Sequence, residues 1–270
     1  MIKSITSVQN SAFKEALRCK KAKEAKKQGL FWVEGRRSMD ELLSAPDWQI
    51  VSVWVHDTLV QEEYGRQLQE KIPKTVPIYA VPDPLLARLA DTETPQGVVA
   101  LAKRHTYSWP PENNTEKPQL WVILENLRDP GNLGTILRTA DSAGATGVIC
   151  AGTTTDVYNP KVVRAAMGSL LHLPVYGVSS VEEAAVGLKP AGVKFFGAHL
   201  KAEQYHFEAD LGGSAALLIG NEAVGLSAEA AAQCDVLIKI PMPGRAESLN
   251  AAIATGVLLY EAVRQRSSKQ

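Results

Sequence analysis

Cysteine is scarce in this 270-residue chain: three residues, Cys19, Cys150 and Cys234, lie far apart and form no C-x-x-C pair. That spacing excludes a disulfide framework and a cysteine-built zinc site, and it fits a reducing compartment. The three thiols read as small buried hydrophobes. No run of about 18 apolar residues occurs, which excludes a membrane-spanning helix. The first residues, "MIKSITSVQNSAFKEALRCKK", lack the apolar stretch of a secretory leader, so a cytoplasmic protein is expected. There is no net charge, with 29 basic and 29 acidic residues. A G-x-G-x-x-G fingerprint after a first strand is missing, and so is a P-loop, which argues against a dinucleotide-dependent dehydrogenase.

What is present is ordinary globular material, 45% apolar and 21% charged, of a length that suits two domains. The charge is unevenly spread. Residues 1–40 carry Lys3, Lys14, Arg18, Lys20, Lys21, Lys23, Lys26, Lys27, Arg36 and Arg37 against four acids, so this segment is +6 and the remainder −6. A basic patch on a neutral protein points to a polyanion such as RNA. Charge alone reads equally well as a solvated helix face.

Hydrophobic periodicity and punctuation divide the chain into a small α/β module over 1–104, a linker over 105–118 rich in Pro, Asn and Thr, and a second α/β module over 119–270. In the first module, residues 7–28 read as one helix stopped by Gly29. In the second, continuous apolar strands alternate with helices, which predicts a mostly parallel sheet covered on both faces. Trp32, Trp54 and Trp109 offer rings for base stacking, but core packing is the expectation for Trp32 and Trp54.

Ligands of parallel α/β sheets sit at the carboxyl ends of strands. Three turns predicted there are chemically loaded: "ENLRDPGNLGTILR" at 125–138, "GNEAVGLS" at 220–227 and "IPMPGRAESLN" at 240–250. Singly, each is compatible with plain turn and capping chemistry. Their order and spacing together resemble the three motifs of the SpoU (TrmH) branch of the SPOUT RNA methyltransferases. "DVYNPKVVRAAMGSLLHLPV" is similar to that family's intervening segment, and "SITSVQN", "FWVEGRRSMDELL" and "TPQGVVA" resemble its substrate-binding domain, which is similar to a small ribosomal protein.

The resemblance implies a trefoil-knotted catalytic domain, S-adenosylmethionine as cofactor, a homodimer formed through that domain, and methylation of a ribose 2′-hydroxyl in RNA without a metal. Ribosomal RNA of the large subunit is the favoured substrate, with transfer RNA as the alternative. By carry-over, Asn132, Arg138, Glu222, Ser248 and Asn250 are the catalytic set. Gly220, Ile240, Met242 and Leu249 hold the donor, with His199 and Leu200 bordering the same pocket. Arg138 is expected on nearly the same side of its helix as Asn132, as a fixed cation that stabilises a developing alkoxide. The competing role for it is a surface pair with Glu125 or Asp129. Glu222 is expected to fix its loop by accepting backbone N–H groups, and Ser248 and Asn250 to open the last helix. Arg164, Arg36, Arg37, Lys20, Lys21, Lys23, Lys26 and Lys27 are the expected RNA contacts. A non-enzymatic RNA-binding or ribosome-assembly protein on the same fold is the alternative function.

Overall fold

The computed structural model describes residues 2–111 and 117–268; the central part of the expected linker, 112–116, lies outside the described residues. These residues divide into two compact units, one of 1–105 with 158–171, the other of 106–157 with 172–270.

The first unit is built from β1 (Ile2–Ser4), α1 (Ser11–Cys19), α2 (Ala22–Lys27), β2 (Leu30–Glu34), α3 (Arg36–Ser44), β3 (Ile50–His56), α4 (Glu63–Lys71), β4 (Ile78–Val81), α5 (Asp83–Leu89) and β5 (Val98–Lys103). Its sheet runs β1-β4-β3-β5-β2, with β1, β3 and β4 parallel and β5 antiparallel to both β3 and β2. Phe13, Trp32, Trp54 and Leu86 fill the core on one face, so Trp32 and Trp54 are packing residues.

The single helix expected over 7–28 is two. Asn10 caps α1 by accepting from the amides of Ala12 and Phe13, and Lys21 adopts an extended backbone that separates α1 from α2. The Lys20 ammonium turns away to the end of α5, where it donates to the carbonyls of Arg88 and Ala90. That tertiary bond supplies a cation to the negative end of a helix, which a reading of local periodicity does not register.

The second unit contains β6 (Leu120–Glu125), α6 (Pro130–Ser142) and β7 (Gly147–Ala151). The chain then contributes α7 (Pro160–Ala166) to the first unit, where it packs on β2 and buries Val162, Val163 and Ala166. The second unit resumes with β8 (Val175–Val178), α8 (Val181–Leu188), β9 (Lys194–Ala198), β10 (Gln204–Tyr205), β11 (Ala215–Ile219), α9 (Ala228–Ala232), β12 (Val236–Lys239) and α10 (Ala251–Ser267). All seven strands are parallel, in the order β10-β12-β9-β11-β6-β7-β8. The central strands β11 and β6 are buried throughout apart from Glu125 at the end of β6, which explains why every other residue in them is apolar. Trp109 packs at the sheet's other edge, edge-on to Tyr176 and against Gly187. α6 and α10 pack together where Gly256 faces Thr139.

Candidate active site

At the carboxyl ends of β9, β11 and β12 the second unit has a cleft of about 710 Å³, within the range of small-molecule sites. Gly220, Ile240, Met242, Leu249, His199 and Leu200, the residues expected to hold a donor, all line it, and so do Asn132, Glu222, Ser248 and Asn250. Three turns distant in sequence therefore meet at one place because β6, β11 and β12 end on the same side of a parallel sheet.

Local chemistry shapes each turn. Asp129 precedes Pro130, the first residue of α6, and its carboxylate accepts from the Asn132 amide at 2.7 Å, an N-cap with the proline where no amide proton is needed. In the second turn, a β-carbon on Gly220 would lie 2.1 Å from the Gly225 carbonyl carbon, so only glycine lets the chain close there. Asn221 and Gly225 exchange both backbone hydrogen bonds, at 3.1 and 2.9 Å. In the third turn, Asn250 is the cap of α10, accepting from Ala252 N and Ile253 N. The helix thus begins after Asn250, and Ser248, two residues outside it, lines the cleft instead of capping.

The polar side chains interlock. The Asn250 amide donates to Asn132 Oδ1 at 2.8 Å, and the Asn132 amide donates to Glu222 Oε1 at 3.3 Å. Glu222 also accepts from the backbone N–H of Asp129 at 3.0 Å and of Arg128 at 3.4 Å. Partial burial opposes its ionisation, but these hydrogen bonds prevail and hold the carboxyl below the usual carboxylate range. The expectation that Glu222 fixes the loop agrees with this geometry. His199, which also lines the cleft, accepts from the Lys201 amide through Nδ1 at 3.2 Å.

Arg138 is placed differently from the expectation. Six residues advance an α-helix by about 600°, which sets Arg138 about 120° around α6 from Asn132 rather than beside it. It is exposed and is not among the residues lining this chain's cleft. Of the two carboxylates considered as its partners, Glu125 accepts from Ser227 N at 2.9 Å and Oγ at 2.6 Å, and Asp129 caps α6.

The basic residues expected to meet RNA all lie in the first unit. Lys20 and Arg164 flank Asp91 at 3.6 and 3.3 Å, Lys27 pairs with Glu24 at 3.0 Å, and Arg36 joins Glu62 at 3.3 Å while lying over the Tyr64 ring. Lys21, Lys23, Lys26 and Arg37 stand exposed. Arg164 is carried by α7 in the first unit and does not line the cleft. Among the described residues no group of three or more His, Cys, Asp or Glu could hold a metal ion, and no helix is long and apolar enough to cross a membrane.

Sequence reasoning missed Asn126 and Asn221. The Asn221 amide donates to the Asn126 carbonyl at 2.9 Å, joining the first turn to the second. The available signal was an asparagine directly after an apolar strand, a residue type that tolerates the left-handed backbone.

Comparison with known proteins agrees with this arrangement. The SpoU rRNA Methylase family model matches residues 119–260, and the MRM3-like substrate binding domain matches residues 10–100. The chain is 32% identical over 262 residues to the 23S rRNA (guanosine(2553)-2′-O)-methyltransferase RlmP of Bacillus subtilis strain 168, covering 96% of this chain and 98% of that protein. It is 35% identical over 249 residues to the 23S rRNA (uridine(2479)-2′-O)-methyltransferase of Streptomyces viridochromogenes, covering 89% of this chain and 84% of the relative. The crystal structure of an AdoMet-bound rRNA methyltransferase from Sinorhizobium meliloti superposes with a TM-score of 0.86 at 31% identity, over 97% of this chain and 98% of that one. With the family's domain matched over more than half its length and its three motifs gathered at one cleft, this chain belongs to the SpoU rRNA methylase family.

Proposed function

We propose that this protein transfers a methyl group from S-adenosylmethionine to a ribose 2′-hydroxyl of RNA, with ribosomal RNA of the large subunit as substrate. The observation that carries the reading is the Asn250–Asn132–Glu222 chain of hydrogen bonds on the wall of a cleft of donor size. The relatives act on guanosine in one case and uridine in the other, so ribose chemistry, not the base, is what they share.

The residues fit such a donor. Ile240, Met242 and Leu249 give an apolar wall for an adenine, and the closed Gly220–Gly225 turn offers backbone to the rest. The bound donor supplies a methyl on a sulfonium, an electrophile whose charge disperses during in-line displacement. The protein's share is to hold a hydroxyl in line, which is worth on the order of 7–11 kcal/mol in favourable cases. Ser248 and Asn250 stand beside the first turn of α10, where hydrogen bonds from or to a ribose or phosphate are available.

In this reading the hydroxyl gives its proton to water as its oxygen takes the methyl, and Arg138 acts as a fixed cation beside the developing alkoxide. Its place outside the cleft of its own chain fits a homodimer built on α6 and α10. α10 presents Ile253, Val257 and Tyr260 to solvent at i, i+4 and i+7, an apolar stripe that a second copy would cover. The trefoil knot is carried over from the family resemblance, and a cytoplasmic location from the three scattered cysteines, on the same footing.

The test is methyl transfer from labelled S-adenosylmethionine to an unmodified 23S rRNA transcript, followed by mapping of 2′-O-methyl positions. Arg138→Ala is expected to reduce transfer at least a hundredfold while calorimetry shows unchanged donor binding. Full activity in that variant removes the role given to Arg138. Absence of donor binding by the unaltered protein favours an RNA-binding protein without catalysis.

A further inference from the structure

Asn126 is a residue of unusual backbone at the point where the loops of the cleft meet. Its φ is +53°, a left-handed conformation, and it shares that sign with Met167 alone among the described non-glycine residues. Side chains bearing a β-carbon resist this region, and asparagine resists it least. Strain of this kind persists where surrounding bonds enforce it, and it concentrates at functional sites.

Three bonds enforce it here. The Asn126 amide donates to the Ala151 carbonyl at 3.1 Å, and its Oδ1 accepts from the Thr153 amide at 2.8 Å. Its carbonyl, turned by the left-handed backbone, accepts from Asn221 Nδ2 at 2.9 Å. The first two bonds anchor the residue to the end of β7. The third reaches the turn that carries Glu222, whose carboxylate in turn holds the amides of Arg128 and Asp129 and the side chain of Asn132. Asn126 itself is not among the residues lining the cleft.

We propose that Asn126 is a positioning residue for methyl transfer: it sets the 220–225 turn against the 128–132 loop, so that Glu222 can hold Asn132 in place. The inference rests on the transferase reading above. Asn126 reaches the cleft through Asn221, whose turn also offers backbone to the donor, so its loss acts on donor binding as well as on turnover.

Three variants isolate the effect. Asn126→Ala opposes the left-handed backbone and removes Oδ1. Asn126→Asp keeps both the tolerance and the acceptor. Asn126→Gly keeps the backbone and the carbonyl but loses Oδ1. With an unmodified 23S rRNA transcript and S-adenosylmethionine, Asn126→Ala is expected to lower kcat at least tenfold and to raise the KM for S-adenosylmethionine, with the KM for RNA within twofold. Asn126→Asp should restore kcat to within twofold and Asn126→Gly to within about threefold. Amide hydrogen exchange gives a readout independent of activity: protection of Arg128 and Asp129 should fall in Asn126→Ala and return in Asn126→Asp. A normal kcat in Asn126→Ala, equal losses in all three variants, or unchanged protection at those two amides overturns the proposal. Intact exchange behaviour in a protein that transfers no methyl group would count against the transferase reading and leave the positioning network standing.

Discussion

At the scale of single residues the site depends on groups whose ionisation is set by hydrogen bonding or burial. Glu222 is held below the usual carboxylate range by the donors around it. A depressed carboxylate stabilises the fold above its unfolded value and loses that contribution as pH falls through the folded value. Glu222→Gln should therefore melt at a lower temperature than the unaltered protein near pH 7, and the difference should shrink below about pH 4, as followed by thermal unfolding across pH. Its methyl transfer should fall at neutral pH as well, because an amide cannot accept from three donors at once. The thiols lie at the other extreme. Burial pushes Cys150 and Cys234 up to about 12, with Asp156 and Asp235 adding to the effect, so neither is a nucleophile at physiological pH. That agrees with their reading as small apolar residues, although both are only half-buried.

At the scale of elements, the opening of α10 carries two jobs in one residue. Asn250 Oδ1 caps the helix, and its Nδ2 holds Asn132. The jobs are separable. Asn250→Ala should cost about 1 kcal/mol in a urea titration, the usual worth of a cap. Asn250→Asp keeps the acceptor, so stability should stay within a few tenths of a kcal/mol by the same measure while methyl transfer drops, since an aspartate cannot donate to Asn132. Most elements were legible in the sequence because their signals are local: Pro130 and Pro160 at first helical positions, Gly29 as a stop, and continuous apolar strands. Where local signals misled, the cause was a distant partner. The α1–α2 break accompanies the bond from Lys20 to the end of α5, and the capping of α10 lies two residues later than Ser248.

At the scale of the whole molecule, the predictions concern RNA and self-association. Removing residues 1–104 is a poor test of RNA binding, since α7 would lose the strand that covers Val162 and Val163. Reversing Lys21, Lys23 and Arg37 to glutamate leaves that packing intact. The triple variant should bind the RNA transcript more weakly, with a salt dependence shallower by about 2–3 in log–log slope, close to one for each phosphate that the protein no longer neutralises. An unchanged slope would make the patch a solvated helix face. For the proposed self-association, the unaltered protein should sediment as a dimer and the Ile253→Glu, Val257→Glu variant as a monomer, because charge on that stripe cannot be desolvated against its own copy.

The amino-acid sequence by itself determined the alternation of strands and helices, the parallel character of the larger sheet, and the three motif turns, because each is written in neighbouring residues: apolar periodicity, caps and glycines. Only the tertiary structure decided which carboxylate meets which amide, that α7 belongs with the N-terminal unit, and that Arg138 is not among the residues lining the cleft of its own chain. Those outcomes depend on how strand ends converge and which distant segments pack together, arrangements that exist only once the sheet has formed.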